Sequence, residues 1–303
     1  MSDLVIVGAG PAGVSAALWA RQLGLDARLL DAGPEPGGQL HLIHYAPRDF
    51  AGAVSGVGSA IAAAMVQQLE RHGVTVEREE VALALDVGGS EPAVLTADGR
   101  RFESSAVLIA TGARRRHLGI PGERELEGHG VSYSATRDKA QLVGRKVAVI
   151  GGGDAAFENA LMLADAGSAV TLISRGTPRA RPEFRERVAA QSNIERFESA
   201  RVTSILGNDR VEAVAVQSKR GAQQVPAEGV VVKIGMTPNS EWLAATLDLD
   251  PQGFVRVDES LRTSIPRVWA AGDVTRPMRP SLALAVGQGA QALAAIRAVL
   301  RPV

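Results

Sequence analysis

One unit of chain occurs twice, and nothing else in the sequence restricts the fold as tightly. The run Leu4-Val5-Ile6-Val7 is short, apolar and β-branched, which predicts a buried strand. It meets Gly8-Ala9-Gly10-Pro11-Ala12-Gly13, then an apolar helical pattern through Ala16, Ala17, Ala20 and Leu23. Gly24 stands where a left-handed residue ends a helix, and a second strand, Ala27 to Leu30, ends on Asp31. The same grammar returns at Lys146 to Ile150, Gly151-Gly152-Gly153-Asp154-Ala155-Ala156, a helix through Ala160, Leu161 and Leu163, Gly167, and Ala169 to Ile173. The spacing repeats too: Gly8 to Gly24 and Gly151 to Gly167 are both 16 positions, and Gly8 to Asp31 and Gly151 to Ser174 are both 23.

Such a unit is built to hold phosphate. The first glycine permits a tight turn, and the second lets backbone approach a pyrophosphate. The third position must be small so that helix and strand pack closely. The helix N-terminus then presents free N–H groups and a positive dipole end. A glycine turn alone is common. One that follows a strand, opens a helix and has an acid at the right offset, as Asp31 does, is specific. Two copies predict an α/β chain with two Rossmann-like dinucleotide-binding domains.

Bulk properties agree and exclude several alternatives. The chain has 303 residues, 46 % hydrophobic and 22 % charged, enough for two globular domains. Lys plus Arg equals Asp plus Glu at 33 each, so bulk charge favours neither nucleic acid nor an anionic membrane. There is no cysteine, which removes disulfides, thiolate metal sites and thiol redox chemistry. The five histidines show no metal-ligand spacing, and no metal site is expected. Met1-Ser2-Asp3 has no basic leader. The longest small-apolar stretch, Ala60 to Val66, is far shorter than a bilayer. A cytoplasmic protein is expected.

Further blocks complete a pattern: Gly37-Gly38-Gln39-Leu40, Ala110-Thr111-Gly112-Ala113, Ile234-Gly235-Met236-Thr237-Pro238-Asn239, and Ala270-Ala271-Gly272-Asp273-Val274 with a small-residue helix from about Gly287 to Leu300. With the two glycine loops, in this order, the chain resembles low-molecular-weight thioredoxin reductases along nearly its whole length. The resemblance implies a three-layer ββα FAD/NAD(P)-binding fold with the second domain inserted in the first. Residues 1–114 and 244–303 would bind FAD, and 115–243 would form the NAD(P)-binding-like domain. It implies FAD contacts at Gly8, Gly10, Pro11, Ala12, Gly13, Asp31, Gly38, Gln39, Leu40, Val81, Ala110, Thr111, Gly112, Gly272 and Asp273. The stretch His41 to Phe50 would run under the flavin, with His44, Tyr45 and Asp49 candidates to touch or tune it. Asp49-Phe50-Ala51-Gly52 occupies the place of the family's Asn-Phe-Pro-Gly. A homodimer is also implied.

The second copy implies nucleotide contacts at Gly151, Gly153, Asp154 and Ala155. It lacks the acid, since Ser174 stands there and Arg175 follows, with Arg179 and Arg181 beyond. A lost negative charge and a gained positive one favour a ribose 2′-phosphate, hence NADP(H) over NAD(H). The family's His-Arg-Arg run reads Ser174-Arg175-Gly176 here, so half the clamp is missing. Either these arginines hold a nucleotide, or they are a solvated cluster on a domain that has ceased to bind one.

Members of this family carry a Cys-Ala-x-Cys-Asp block before the second glycine loop. Here it reads Ser134-Ala135-Thr136-Arg137-Asp138. Ser134 and Arg137 cannot accept two electrons and form a sulfur bond, so disulfide reduction by the family's route is excluded. No other catalytic residue is assigned. The expected activity is an FAD-dependent NAD(P)H oxidoreductase with a non-disulfide acceptor, either ferredoxin, flavodoxin or a small molecule. Arg114-Arg115-Arg116 would offer an acidic carrier a basic cluster. The alternatives are an FAD-bound sensor or binding protein without NAD(P)H turnover, or a flavoprotein reduced by ferredoxin.

Overall fold

The computed structural model describes residues 2–47, 49–51 and 56–302. The chain divides into two compact units, Met1–Arg114 with Thr237–Val303, and Arg115–Met236.

The first unit begins with the predicted repeat: β1 (Ser2–Val7), α1 (Pro11–Gln22) and β2 (Ala27–Leu30). Helix α2 (Gly58–Arg71) follows, then β3 (Val76–Glu77), β4 (Ala82–Asp86), β5 (Ala93–Thr96) and β6 (Arg101–Ile109). The sheet runs β3-β2-β1-β6-β5-β4, with β1 parallel to both β2 and β6. Strands β4, β5 and β6 form an antiparallel meander. Side chains alternate across the sheet as a period of two requires. Leu4 and Ile6 of β1 and Ala106 and Leu108 of β6 pack with α1 residues Ala16, Ala17 and Ala20. Val5, Val7, Val107 and Ile109 face the opposite way, with Leu85 and Val94 of the meander. Both faces are covered, which is why the strands read as continuous apolar runs.

The chain leaves through β7 (Ala113–Arg115). The second unit holds β8 (Val131–Ser132), α3 (Lys139–Leu142), β9 (Lys146–Ile150), α4 (Asp154–Asp165), β10 (Ala169–Ser174), α5 (Pro182–Ala190) and β11 (Ile194–Glu198). A meander, β12 (Arg201–Leu206), β13 (Ala213–Ser218) and β14 (Gly221–Pro226), precedes β15 (Gly229–Val232). The parallel sheet is ordered β11-β10-β9-β15-β8. Val147 and Val149 pack on Phe157, Ala160 and Leu161 of α4. Ala148 and Ile150 face the meander through Val202, Val214 and Val216. The two units therefore repeat one three-layer plan.

The chain returns through β16 (Met236–Pro238) to β17 (Val268–Ala270), which adds in parallel to β6, and α6 (Leu282–Leu300). The return falls at 236/237 rather than 243/244. The reason is local. The Asn239 N–H donates to the Gly112 carbonyl at 3.0 Å, and Leu243 is fully buried in the first unit's core. Helix α6 begins at Leu282, five positions before the expected Gly287, because Ser281 caps it by accepting the Leu284 N–H at 3.2 Å. Its 19 residues have a mean hydropathy of 1.4, long and apolar enough to cross a bilayer. This helix, not Ala60 to Val66, is the chain's longest apolar segment among the described residues. Its Ala292, Leu293 and Ile296 are buried in the core shared with α1.

Candidate functional site

The first glycine loop is closed on one side and open on the other. A Cβ at Gly13 would stand 1.8 Å from the Gly8 carbonyl oxygen, and one at Gly8 would stand 2.4 Å from the Ala110 oxygen. These positions admit no side chain, so the loop can press against the end of β6. A Cβ at Gly10 would meet nothing within 4 Å. The open face of the loop is therefore at Gly10, next to the start of α1, whose first turn no side chain caps among the described residues. Unsatisfied N–H groups beside open space fit a pyrophosphate.

The remaining FAD candidates gather around this loop. The Gly37 N–H donates to the Ala9 carbonyl at 2.8 Å, and a Cβ on Gly38 would lie 3.3 Å from Gly10 Cα. The Gln39 amide donates to the Asp273 carboxylate at 2.8 Å, although 234 positions separate them. Burial pushes the Asp273 carboxyl up from its ordinary value, and the Gln39 bond opposes that shift. Leu40 is buried beneath them. Asp31 accepts from the Ala9 N–H at 2.5 Å through one oxygen and from the Gly33 N–H at 2.8 Å through the other. The carboxylate thus braces the loop as well as facing its edge. Val81 is exposed; its neighbour Glu80 donates its N–H to the Asp31 carbonyl at 2.9 Å. Thr111 donates to the Asn239 carbonyl at 2.7 Å, and the Asn239 amide returns a bond to the Thr111 carbonyl at 2.8 Å. Gly272 approaches α1, a Cβ there lying 3.0 Å from that of Ala12, and Pro11 occupies the first helical turn. His44, Tyr45 and Asp49 are exposed. Arg48 and Gly52 lie outside the described residues.

The second loop keeps the design. A Cβ on Gly151 would lie 2.2 Å from the Lys233 carbonyl oxygen, whereas one on Gly153 would meet nothing within 4 Å. Helix α4 also starts without a side-chain cap among the described residues, and Ala155 is exposed in its first turn. The arginines do not act as one set. Arg181 is turned to Asp154, with Nε on one carboxylate oxygen at 2.7 Å and the backbone N–H on the other at 2.8 Å. It also stacks on Phe184. Arg181 and Asp154 therefore occupy each other, because a carboxylate at the helix start and a guanidinium beside it satisfy both charges. Arg175 and Arg179 are exposed and have no side-chain partner among the described residues. The Ser174 hydroxyl donates to the Gly176 carbonyl at 2.9 Å.

At the positions of the family's dithiol, Arg137 makes a two-point bond to its neighbour Asp138, at 2.7 and 2.8 Å. Asp138 also accepts from the Ser132 hydroxyl at 2.5 Å. The Ser134 hydroxyl accepts weakly from the Arg137 N–H at 3.4 Å. The basic cluster expected at 114–116 is not a free patch. Arg114 pairs with Glu241 and with the Asn239 side chain, and Arg116 donates to the Met236 carbonyl at 3.2 Å. Burial lowers the Arg115 pKa, with Arg137 adding to it.

The chain matches the pyridine nucleotide-disulphide oxidoreductase family over residues 2–292. It belongs to that family. It is 36 % identical to an alkyl hydroperoxide reductase of Pseudomonas putida over 99 % of this chain and 58 % of that protein. The chain thus spans a little over half the length of such relatives. It is 31 % identical to thioredoxin reductase of Listeria monocytogenes, over 95 % of this chain and 90 % of that protein. It is 33 % identical to ferredoxin–NADP reductase of Thermus thermophilus, again over 95 % and 90 %. Among solved structures, thioredoxin reductase of Lactococcus lactis superposes with a TM-score of 0.83 at 31 % identity, covering both chains fully. FAD and NAD(P)H are the cofactors of the family, and the fold is the two-domain α/β arrangement expected from the sequence.

Two features escaped the sequence reading. Buried Glu123 accepts the N–H groups of Leu118 and Gly119, at 2.8 and 2.7 Å, and the Tyr133 hydroxyl at 2.8 Å. Burial and this carboxylate push the Tyr133 phenol far up, and His117 contacts the same hydroxyl at 2.8 Å. The second is Lys233, the first residue after β15, whose ammonium donates to the Tyr133 carbonyl at 2.7 Å. Burial lowers its pKa to about 8, with Arg115 repulsion adding to the effect and Glu158 opposing it. A cation following the apolar run Val230-Val231-Val232 was the available signal.

Proposed function

We propose that the chain is an FAD-dependent NAD(P)H oxidoreductase that passes electrons to an acceptor other than a dithiol of its own. The observation that carries this reading is the pairing of two intact glycine cradles with Ser134 and Arg137 at the family's cysteine positions. FAD, when bound, supplies two-electron chemistry between the nicotinamide and the acceptor. Around it, the first glycine loop and α1 would hold the pyrophosphate and Asp31 would meet the adenosine ribose. Gln39 and Asp273 would form a polar wall fixed by their mutual bond. In the second unit the loop before α4 would hold the nucleotide pyrophosphate. Arg175 and Arg179, free of other side-chain partners among the described residues, would meet a 2′-phosphate. That favours NADPH.

The acceptor is best read as a small molecule. A docking site for an acidic carrier loses support, since Arg114 and Arg116 are spent on internal bonds. A second reading, a flavin-bound sensor without nucleotide turnover, is favoured by one observation: Ser174 and Arg181 are both bonded locally rather than turned toward a ribose phosphate.

Anaerobic stopped-flow mixing of the flavin-loaded protein with NADPH and NADH separates the two. Fast bleaching of the flavin, at lower NADPH than NADH concentration, is expected. An unchanged spectrum at millimolar nucleotide would leave the sensor reading. Thioredoxin-coupled insulin reduction should be nil, and steady turnover in that assay would overturn the assignment of a non-disulfide acceptor.

A further inference from the structure

The sheet order of the second unit divides its nucleotide cleft into two halves. The glycine loop follows β9 and opens α4, so a pyrophosphate held there marks the middle. Strand β10 lies on one side of β9 and ends at Ser174, with Arg175 following. That side takes the adenosine ribose. The nicotinamide half must then lie over the ends of β15 and β8, on the other side of β9.

Lys233 sits at that place. Its N–H donates to the Ile150 carbonyl at the end of β9, at 2.8 Å. Its own carbonyl presses on Gly151 so closely that no Cβ fits there. Its ammonium reaches across to the Tyr133 carbonyl, one residue past β8, at 2.7 Å. The cation is thus fixed over the ends of both strands rather than swinging on a flexible stem. The charged groups around it are Arg115 at the end of β7 and Glu158 on α4, with the Tyr133 phenol beyond, itself engaged with Glu123.

A nicotinamide ring carries a positive charge when oxidised and none when reduced. We propose that Lys233 makes this cleft discriminate against the oxidised nucleotide, its ammonium repelling the NAD(P)+ ring and tolerating the neutral NAD(P)H ring. The inference rests on the reading that the second unit binds a pyridine nucleotide. Its consequence is product expulsion: loss of hydride gives the ring its charge, and affinity falls at that moment. In an effective dielectric of about 20, a unit charge at about 12 Å changes a binding constant roughly tenfold. The effect requires the charged amine. It is present below pH 8 and lost above, since the depressed pKa of about 8 leaves Lys233 neutral there.

The test is calorimetric titration of the flavin-loaded protein with NADP+ and with 1,4,5,6-tetrahydro-NADP, whose ring is neutral and gives no hydride. The quantity read is the ratio of the two dissociation constants at pH 7 and pH 9.5. Titration of the nucleotide's own phosphates cancels in it. Wild type should show a ratio about tenfold higher at pH 7 than at pH 9.5. Lys233→Met should keep the low ratio at both pH values. Lys233→Arg should keep the high one, because a guanidinium stays charged. A wild-type ratio independent of pH would overturn the inference while leaving nucleotide binding intact. Failure of both ligands to bind wild type would overturn the nucleotide reading as well. Should a variant not fold, the wild-type pH comparison decides alone.

Discussion

Gly10 and Gly13 stand three positions apart in one loop and serve different ends. Gly13 is glycine because the Gly8 carbonyl occupies the space of its Cβ; Gly10 is glycine although its Cβ would touch nothing. Its φ of −74° also suits any residue. The need for glycine at position 10 therefore lies outside the polypeptide, in something that approaches the backbone there. Gly13→Ala should cost roughly 1–3 kcal/mol in denaturant unfolding, through overpacking. Gly10→Ala should leave the apoprotein within about 0.5 kcal/mol of wild type, as a surface change does. Its flavin content, read from the absorbance of the purified protein, should nonetheless fall sharply. A stable, fully yellow Gly10→Ala protein would show that this face does not hold the pyrophosphate.

Among the elements, α6 shows how a helix can satisfy a sequence test and mean something else. Its length and hydropathy suit a bilayer, yet it lies on α1 at very short range. A Cβ on Gly289 would stand 2.2 Å from the Ala12 carbonyl oxygen and 2.9 Å from Ser15 Cβ. The crossing also fixes the flavin-side turn, because Gln288 of α6 accepts the Gly272 N–H at 2.8 Å. Gly287, two positions earlier, meets nothing. The pair makes a controlled comparison. Gly287→Ala should raise stability by about 0.5–1 kcal/mol through helix propensity. Gly289→Leu should lower it by about 3 kcal/mol or more, since the helices must part. Thermal unfolding of the two variants reads both; a tolerated Gly289→Leu would show that the two helices can part without loss.

At the scale of the molecule, the second unit is an insertion whose ends are held by the first. Thr111, Gly112 and Asn239 exchange three hydrogen bonds across the gap in sequence, and all three residues belong to the first unit. Both strands of the cut therefore leave from one place. Deleting 115–236 and closing the gap with a short Gly/Ser linker should give a folded protein that retains FAD. NADPH should no longer bleach it. Loss of FAD in the excised form would show that the first unit needs the second to fold.

What the sequence determined by itself was local and repetitive. The strand–glycine–helix units, the apolar runs of doubly covered strands and the missing cysteines are each written in neighbouring residues, because phosphate cradles and strand burial depend on spacings of two to four positions. Only the tertiary structure decided how charges were spent. Arg114, Arg116 and Arg181 read as free cations in a linear chain, and each proved to be bonded to a group brought up by folding. Gln39 met Asp273 across most of the chain for the same reason. Lys233 was a lone lysine until the ends of β15 and β8 enclosed it. A charge acts through what surrounds it in three dimensions, over distances that sequence separation does not record.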